Sequence, residues 1–195
     1  MMSKIARAFI CASVAFASIA FAEVLYSDKV VSLYLNAKDT KPEGRLLPTN
    51  AFEIIKQDSK KVLVRISGFV NPKAPSVLYT NDSQRVMVAA FGKNTKLEFK
   101  SRVAGSGGKW DKVSIEVWAD KGEFVNDRKP MFAKAKTLYS ENCGICHATH
   151  KESEFGANQW QAVFNSMVNR TAIDQEDRWL VIEYLQKNGK DYYEK

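Results

Sequence analysis

The sequence is poor in the residues and segments that mark several common classes of protein. Its 195 residues include only three cysteines, two histidines, five prolines and ten glycines. The scarcity of glycine and proline excludes a collagen-like chain, and 45% hydrophobic residues exclude a mainly disordered one. Beyond the first 22 residues, no apolar run approaches the length of a transmembrane helix. The length fits one globular domain of average size or two small ones.

An apolar segment opens the chain. Lys4 and Arg7 precede an apolar run over residues 8–22, which ends in the small-x-small pattern Ala20-Phe21-Ala22 just before Glu23. This pattern predicts a secretory signal peptide over residues 1–22, cut after Ala22. An uncleaved membrane anchor is the alternative, although the run is short for a span and rich in small residues. We therefore expect a periplasmic protein.

Charge is unevenly distributed along the chain. The formal net charge is +7, and loss of the signal peptide, which also removes Cys11, leaves +5. Residues 23–130 then carry +6, whereas residues 131–195 carry −1. Export argues against a nucleic-acid partner. Three roles remain open for the basic part: a spacer, a docking module for a redox partner, or a module that binds the wall or membrane.

Alternation of hydrophobic and polar residues predicts strands in the first part of the mature chain. The strand-like segments are residues 51–56, 62–66, 86–91 and 113–117. Polar turn residues separate them, so we expect a small β-rich domain over residues 23–130, either an SH3-like barrel or a sandwich. The glycine-rich stretch 104–108 fits either a linker or a long hairpin loop.

From Met131 onward the hydrophobic period lengthens to that of helices. Apolar residues share one helical face in the segment that leads to Cys143, and again over residues 160–168. Asp174 is expected to cap a last helix that ends near Gly189. The pattern predicts an all-α domain over residues 131–195 and an α+β protein.

The segment Cys143-Gly144-Ile145-Cys146-His147 carries the strongest chemical signal in the chain. Two thiols at this spacing on the first turn of a helix can form thioether bonds to the vinyl groups of haem, and the adjacent histidine then binds the iron. We therefore predict one covalent haem c, attached through Cys143 and Cys146, with His147 as the proximal iron ligand. The helical domain would then resemble cytochrome c.

Three other interpretations of the cysteine pair are weaker. A zinc site lacks a second cysteine pair, and a thioredoxin-like redox pair is expected after a strand, which the sequence does not show here. A structural disulfide is the third. The predicted export of the protein is consistent with covalent haem attachment at Cys143 and Cys146.

An electron-carrying haem usually has a second axial ligand, and few residues can supply it. On a continuing helix, His150 projects from the same side as His147 and cannot bind the opposite face of one iron, so an exposed position at a helix end is expected for it. Met167 lies twenty residues after His147, far enough for the chain to cross to the distal side. We predict Met167 as the distal ligand; an ordinary core methionine and a vacant iron position are the alternatives.

Several segments resemble one family of respiratory cytochromes. They are Leu138–His147, Ala157–Trp160, Ser166–Met167, Leu180–Leu185 and, before them, Leu46–Pro48, Ile66–Gly68 and Trp118–Val125. Together they are similar to the monohaem C-terminal domain, and the β region before it, of the pentahaem cytochrome of trimethylamine N-oxide respiration. The four other haem motifs of that family are missing from this sequence.

The resemblance implies His147/Met167 ligation and an electron-transfer protein that performs no bond chemistry on a substrate. It also implies that the acceptor is a periplasmic molybdopterin reductase of trimethylamine N-oxide or dimethyl sulfoxide, used in anaerobic respiration. The electrons would come from a membrane quinol-oxidising complex. A general periplasmic cytochrome c that serves an oxidase or peroxidase, and a haem-based sensor of small ligands, are the alternatives.

Overall fold

The computed structural model describes residues 23–195, in which nine strands precede three α-helices. The strands are β1 (Val24–Leu25), β2 (Val31–Tyr34), β3 (Gly44–Leu46), β4 (Phe52–Gln57), β5 (Lys61–Asn71), β6 (Ala74–Tyr79), β7 (Met87–Phe91), β8 (Phe99–Val103) and β9 (Asp111–Asp120). The helices are α1 (Lys129–Cys143), α2 (Ala157–Met167) and α3 (Arg178–Lys187). The expected signal peptide, with Cys11, lies outside the described residues.

The strands form an antiparallel sheet that closes on itself. β5 and β9 pair along almost their whole length, from Lys61 opposite Asp120 to Val70 opposite Asp111. From β5 the sheet continues through β6, β7 and β3 to β2, which pairs with β9 again. Six strands therefore make a closed barrel. β4 pairs with the first half of β5 and β8 with the first half of β9, and both widen the sheet outside the barrel.

Alternating burial explains why the central strands form. Val62, Val64 and Ile66 of β5 point into the barrel core, together with Val113, Ile115 and Val117 of β9. Branched side chains at every second position favour this arrangement. All four predicted strand segments are confirmed, and the barrel replaces the sandwich as the observed architecture. Residues 104–110 connect β8 to β9, so the glycine-rich stretch is a hairpin loop.

The three helices form a second core, and the predicted α+β fold is confirmed. Pro130 lies in the first turn of α1, where a missing backbone N–H costs nothing. The expected cap at Asp174 is wrong: residues 175–177 form a turn, and α3 begins only at Arg178. α3 is buried on all sides from Leu180 to Gln186, because it packs between the other helices and the barrel.

Barrel and helices share an extensive boundary. Lys29 pairs with Glu176 near the start of α3, and the guanidinium of Arg45 lies 5.4 Å from the ring centre of Trp179. At the end of the chain, the Tyr193 carbonyl accepts a 2.8 Å hydrogen bond from the Asn81 side chain of the barrel. No helix within residues 23–195 is both long and apolar enough to cross a membrane.

Candidate haem site

The cysteine motif lies where α1 ends. Cys143 is the last residue of α1, residues 144–146 form a turn, and His147 and the residues after it are irregular. The expectation that the motif occupies the first turn of a helix is therefore wrong: the Gly144 N–H bonds back to the Ser140 carbonyl, 3.1 Å away, and closes the helix. Both thiols are free; Cys143 is half-buried and Cys146 is exposed.

A small apolar cavity of about 20 Å³ brings three of the four predicted site residues together. Cys143 and His147 line it from the end of α1, and Met167 lines it from the end of α2. The fourth, Cys146, lies outside at the surface. The other lining residues are Tyr139, Thr149, His150, Trp160, Val163, Phe164 and Leu185. Because a porphyrin is far larger than this space, the side chains that wall it would have to separate to admit one.

The histidine of the motif presents one ring nitrogen for ligation. Nδ1 of His147 lies 2.8 Å from the Ala148 carbonyl oxygen. Because a carbonyl oxygen can only accept, this contact places the proton on Nδ1 and leaves the lone pair of Nε2 for a metal. Together with the free thiols, the half-buried thioether of Met167 and the apolar walls, this geometry fits a c-type haem.

His150 differs from its expected position. It lies on no helix, is half-buried, and lines the same cavity as His147, with the two ring centres 6.1 Å apart. The two imidazoles would share one helical face only if α1 continued past the motif, whereas α1 ends at Cys143. His150 Nδ1 lies 2.9 Å from a carboxylate oxygen of Glu154, so its Nε2 is also available.

Aromatic side chains form part of the wall, and hydrogen bonds fix two of them. The Tyr139 hydroxyl donates to the His150 carbonyl at 2.9 Å, and the Trp160 indole donates to the Glu152 carbonyl at 2.8 Å. Burial raises the pKa of Tyr139 to about 12 and also raises the pKa of the Cys143 thiol. Both groups are therefore neutral at physiological pH, as an apolar cavity requires.

Sequence reasoning missed several residues around the cavity. Leu185 belongs to α3, which the motif spacing does not reach, and His150 was expected at an exposed helix end. The loop after the motif is also tied to α3, because the Tyr184 hydroxyl donates to Glu152 Oε1 at 2.5 Å. The aromatic residues of α3, Trp179 and Tyr184, are the signal in the sequence that points there, since they could line a haem or form the helical core; neither lines the cavity itself.

Comparison with protein-family models matches residues 20–124 to the TorC third cytochrome c domain. The match covers more than half of the chain and all nine strands, and it ends before α1 and the cysteine motif. No solved structure gives a significant match.

Relatives extend the comparison into the helices. The cytochrome c-type protein TorC of Escherichia coli O157:H7 is 30% identical over 172 residues, which is 86% of this chain and 44% of the relative. The cytochrome c-type protein TorY of Haemophilus influenzae is 26% identical over 153 residues, 76% of this chain and 42% of the relative. An alignment over 86% of 195 residues includes residues 28–168, and with them the cysteine motif and Met167. The chain spans less than half the length of these relatives, and its homology to TorC and TorY places it in the TorC third cytochrome c domain family.

Proposed function

We propose that this chain is a periplasmic monohaem cytochrome c that transfers single electrons. One observation carries the proposal: a single apolar cavity is lined by Cys143, by His147 with a free ring nitrogen, and by Met167. In the proposal Cys143 and Cys146 hold haem c through thioether bonds, and His147 and Met167 bind its iron. A haem in this place supplies one reversible electron and no bond chemistry on a substrate.

The protein contributes position and environment. The Ala148 carbonyl orients the imidazole of His147, and Tyr139, Trp160 and Phe164 exclude water from the cavity. A thioether ligand favours the reduced iron and gives a higher potential than a second histidine would. Such a potential suits a carrier late in an electron-transfer chain.

Family membership supports a proposal about the partners. We propose that the acceptor is a periplasmic molybdopterin reductase of trimethylamine N-oxide or dimethyl sulfoxide, and that a membrane quinol-oxidising complex is the donor. The barrel supports a dedicated partner, because a general carrier needs no additional β domain. An oxidase or peroxidase as acceptor is the competing proposal.

An absorption spectrum tests the site. The reduced protein should be low-spin, and the oxidised protein should show the weak sulfur-to-iron band near the red edge of the spectrum. A high-spin spectrum that shifts with carbon monoxide would instead favour a ligand sensor with an open iron position. A low-spin spectrum without the sulfur band would assign the distal position to His150.

A mixing experiment with the candidate reductase tests the proposed electron acceptor. Reduced protein is combined with the candidate reductase, and haem oxidation is followed when trimethylamine N-oxide or dimethyl sulfoxide is added. Rapid oxidation that requires both the enzyme and the oxide is expected. Oxidation by a peroxidase or oxidase, with none by the molybdoenzyme, would overturn this part of the proposal.

A further inference from the structure

Successive side chains of α3 contact the barrel, the loop after the motif, the cavity and the start of α2. The Glu183 carboxylate accepts a 3.2 Å hydrogen bond from the Asn50 side chain of the barrel. Tyr184 binds the loop after the motif through Glu152, and Leu185 lines the cavity itself. Gln186 donates to the Ala157 carbonyl at the start of α2, 3.0 Å away. A shift of α3 on the barrel would therefore move the walls of the cavity.

A buried ion pair within α3 faces the barrel and binds it through hydrogen bonds. Lys187 Nζ lies 3.0 Å from Glu183 Oε2, and the two side chains are 3% and 0% exposed. The same ammonium group donates to Thr49 Oγ1 and to Asn50 Oδ1, each at 2.9 Å. Thr49 has a backbone φ of 62°, an unfavourable value for a threonine. The barrel thus holds an uncommon backbone conformation at the place where it receives Lys187.

Stability alone is a poor explanation for this pair. Burial raises the pKa of Glu183 and lowers the pKa of Lys187, which shows that each charge is costly to bury, although the partner opposes both shifts. Oε1 of Glu183 is buried without a hydrogen-bond partner among the described residues. Buried ion pairs are often no more stabilising than apolar replacements, whereas they can fix one packing register among several.

We infer that Glu183 and Lys187, with Asn50 and Thr49, form a registry lock that positions α3 on the barrel and so keeps Met167 bound to the iron. The inference rests on the proposed haem function. It also gives the barrel a role: the barrel is the base on which the cavity is assembled, rather than a spacer. Glu183 and Lys187 are positioning residues, since neither lines the cavity.

The test uses the complete haem-containing protein with Glu183→Gln, which keeps the shape of the side chain and leaves the Lys187 charge uncompensated. Ferric protein is titrated with imidazole, which competes with Met167, and loss of the sulfur-to-iron band is followed. If the fraction of protein with Met167 detached rises about tenfold, the apparent affinity for imidazole rises by the same factor. The midpoint potential should fall as well, because loss of the thioether favours oxidised iron.

The matched control is Glu176→Gln. It removes the Lys29–Glu176 pair, which also joins barrel and helices across 3.1 Å, but its side chains are 55% and 64% exposed. An exposed pair contributes little, so imidazole affinity and potential should equal those of the unmodified protein.

A double variant keeps the test decisive if Glu183→Gln does not fold. Glu183→Gln with Lys187→Met removes both charges, and a registry role predicts that this protein folds, attaches haem and still binds imidazole more tightly. Wild-type imidazole affinity in the folded variants would overturn the inference. Failure of the double variant to fold would also contradict it, because the pair would then be a stability element. Absence of the sulfur band from the unmodified protein would instead refute the proposed ligation by Met167.

Discussion

Asn158, in the first turn of α2, accepts a 2.7 Å hydrogen bond from the backbone N–H of Arg85 in the barrel. The start of α2 is held a second time, because Asp191 Oδ1 accepts from the Ala157 N–H at 2.7 Å. Met167 lies at the other end of the same helix. The barrel and the end of the chain therefore fix the helix that carries the proposed distal ligand.

Two methionine variants separate an iron ligand from a core residue. Met167→Leu should abolish the sulfur-to-iron band and let the reduced protein bind carbon monoxide, because leucine has no donor atom. Met131→Leu is the matched control: Met131 is buried in the helical core and does not line the cavity, so the band should remain. If the Met167→Leu protein is low-spin and does not bind carbon monoxide, His150 would be indicated as the distal iron ligand.

A close backbone approach predicts a sensitive glycine at the end of α3. A Cβ on Gly189 would lie 2.8 Å from the Ala157 backbone nitrogen, so Gly189→Ala has to separate α3 from the start of α2. We expect a loss of about 1–3 kcal/mol in the free energy of unfolding, measured by denaturant titration.

Gly92→Ala is the comparison for that experiment. A Cβ there meets only the Thr95 hydroxyl, 3.0 Å away, and moving this hydroxyl costs no more than its exposed hydrogen bond to Glu43. Its stability should stay close to that of the unmodified protein. If Gly92→Ala and Gly189→Ala lower the free energy of unfolding equally, the close backbone approach at Gly189 would be contradicted.

The sequence predicted three of the six barrel strands, β5, β7 and β9, together with β4, because alternation is a local pattern; it carried no signal for the short strands β2 and β3 or for β6. Alternation in β5 and the spacing of Cys143 and Cys146 can be read from a few neighbouring residues. The position of His150 could not be predicted, since it depends on where α1 ends. The role of Glu183 could not be predicted either, because a lone glutamate in a helix usually faces water. It is buried here because α3 packs against Asn50 of the barrel.

Asp82 should make the protein sensitive to acid. Lys195 and Tyr193 bind its buried carboxylate, and these contacts hold its pKa well below the ordinary value of 3.8. A carboxyl group whose pKa is lower in the folded state contributes stability above the unfolded-state pKa, and that stability is lost as the pH falls. The melting temperature should therefore decline below about pH 4.

Asp82→Asn tests this origin. The variant should melt at a lower temperature than the unmodified protein at pH 7, and the two should converge as the pH falls toward 2. The thermal unfolding midpoint at a series of pH values gives both curves. A constant difference across the whole range would exclude Asp82 as the source of the acid sensitivity.

Ile145 should govern encounters with the electron acceptor. Its side chain is 76% exposed although it lies between the two cysteines of the motif, so it presents an apolar group to solvent next to the proposed haem. Ile145→Glu should slow second-order electron transfer to the reductase about tenfold, since a charge at the centre of a contact must be desolvated. The absorption spectrum should not change. Val103→Glu is the matched control: Val103 is 65% exposed but belongs to β8, which pairs with β9 outside the barrel. Stopped-flow oxidation of both reduced variants decides the matter: equal slowing would indicate a general effect of charge, and no slowing with Ile145→Glu would place the contact elsewhere on the surface.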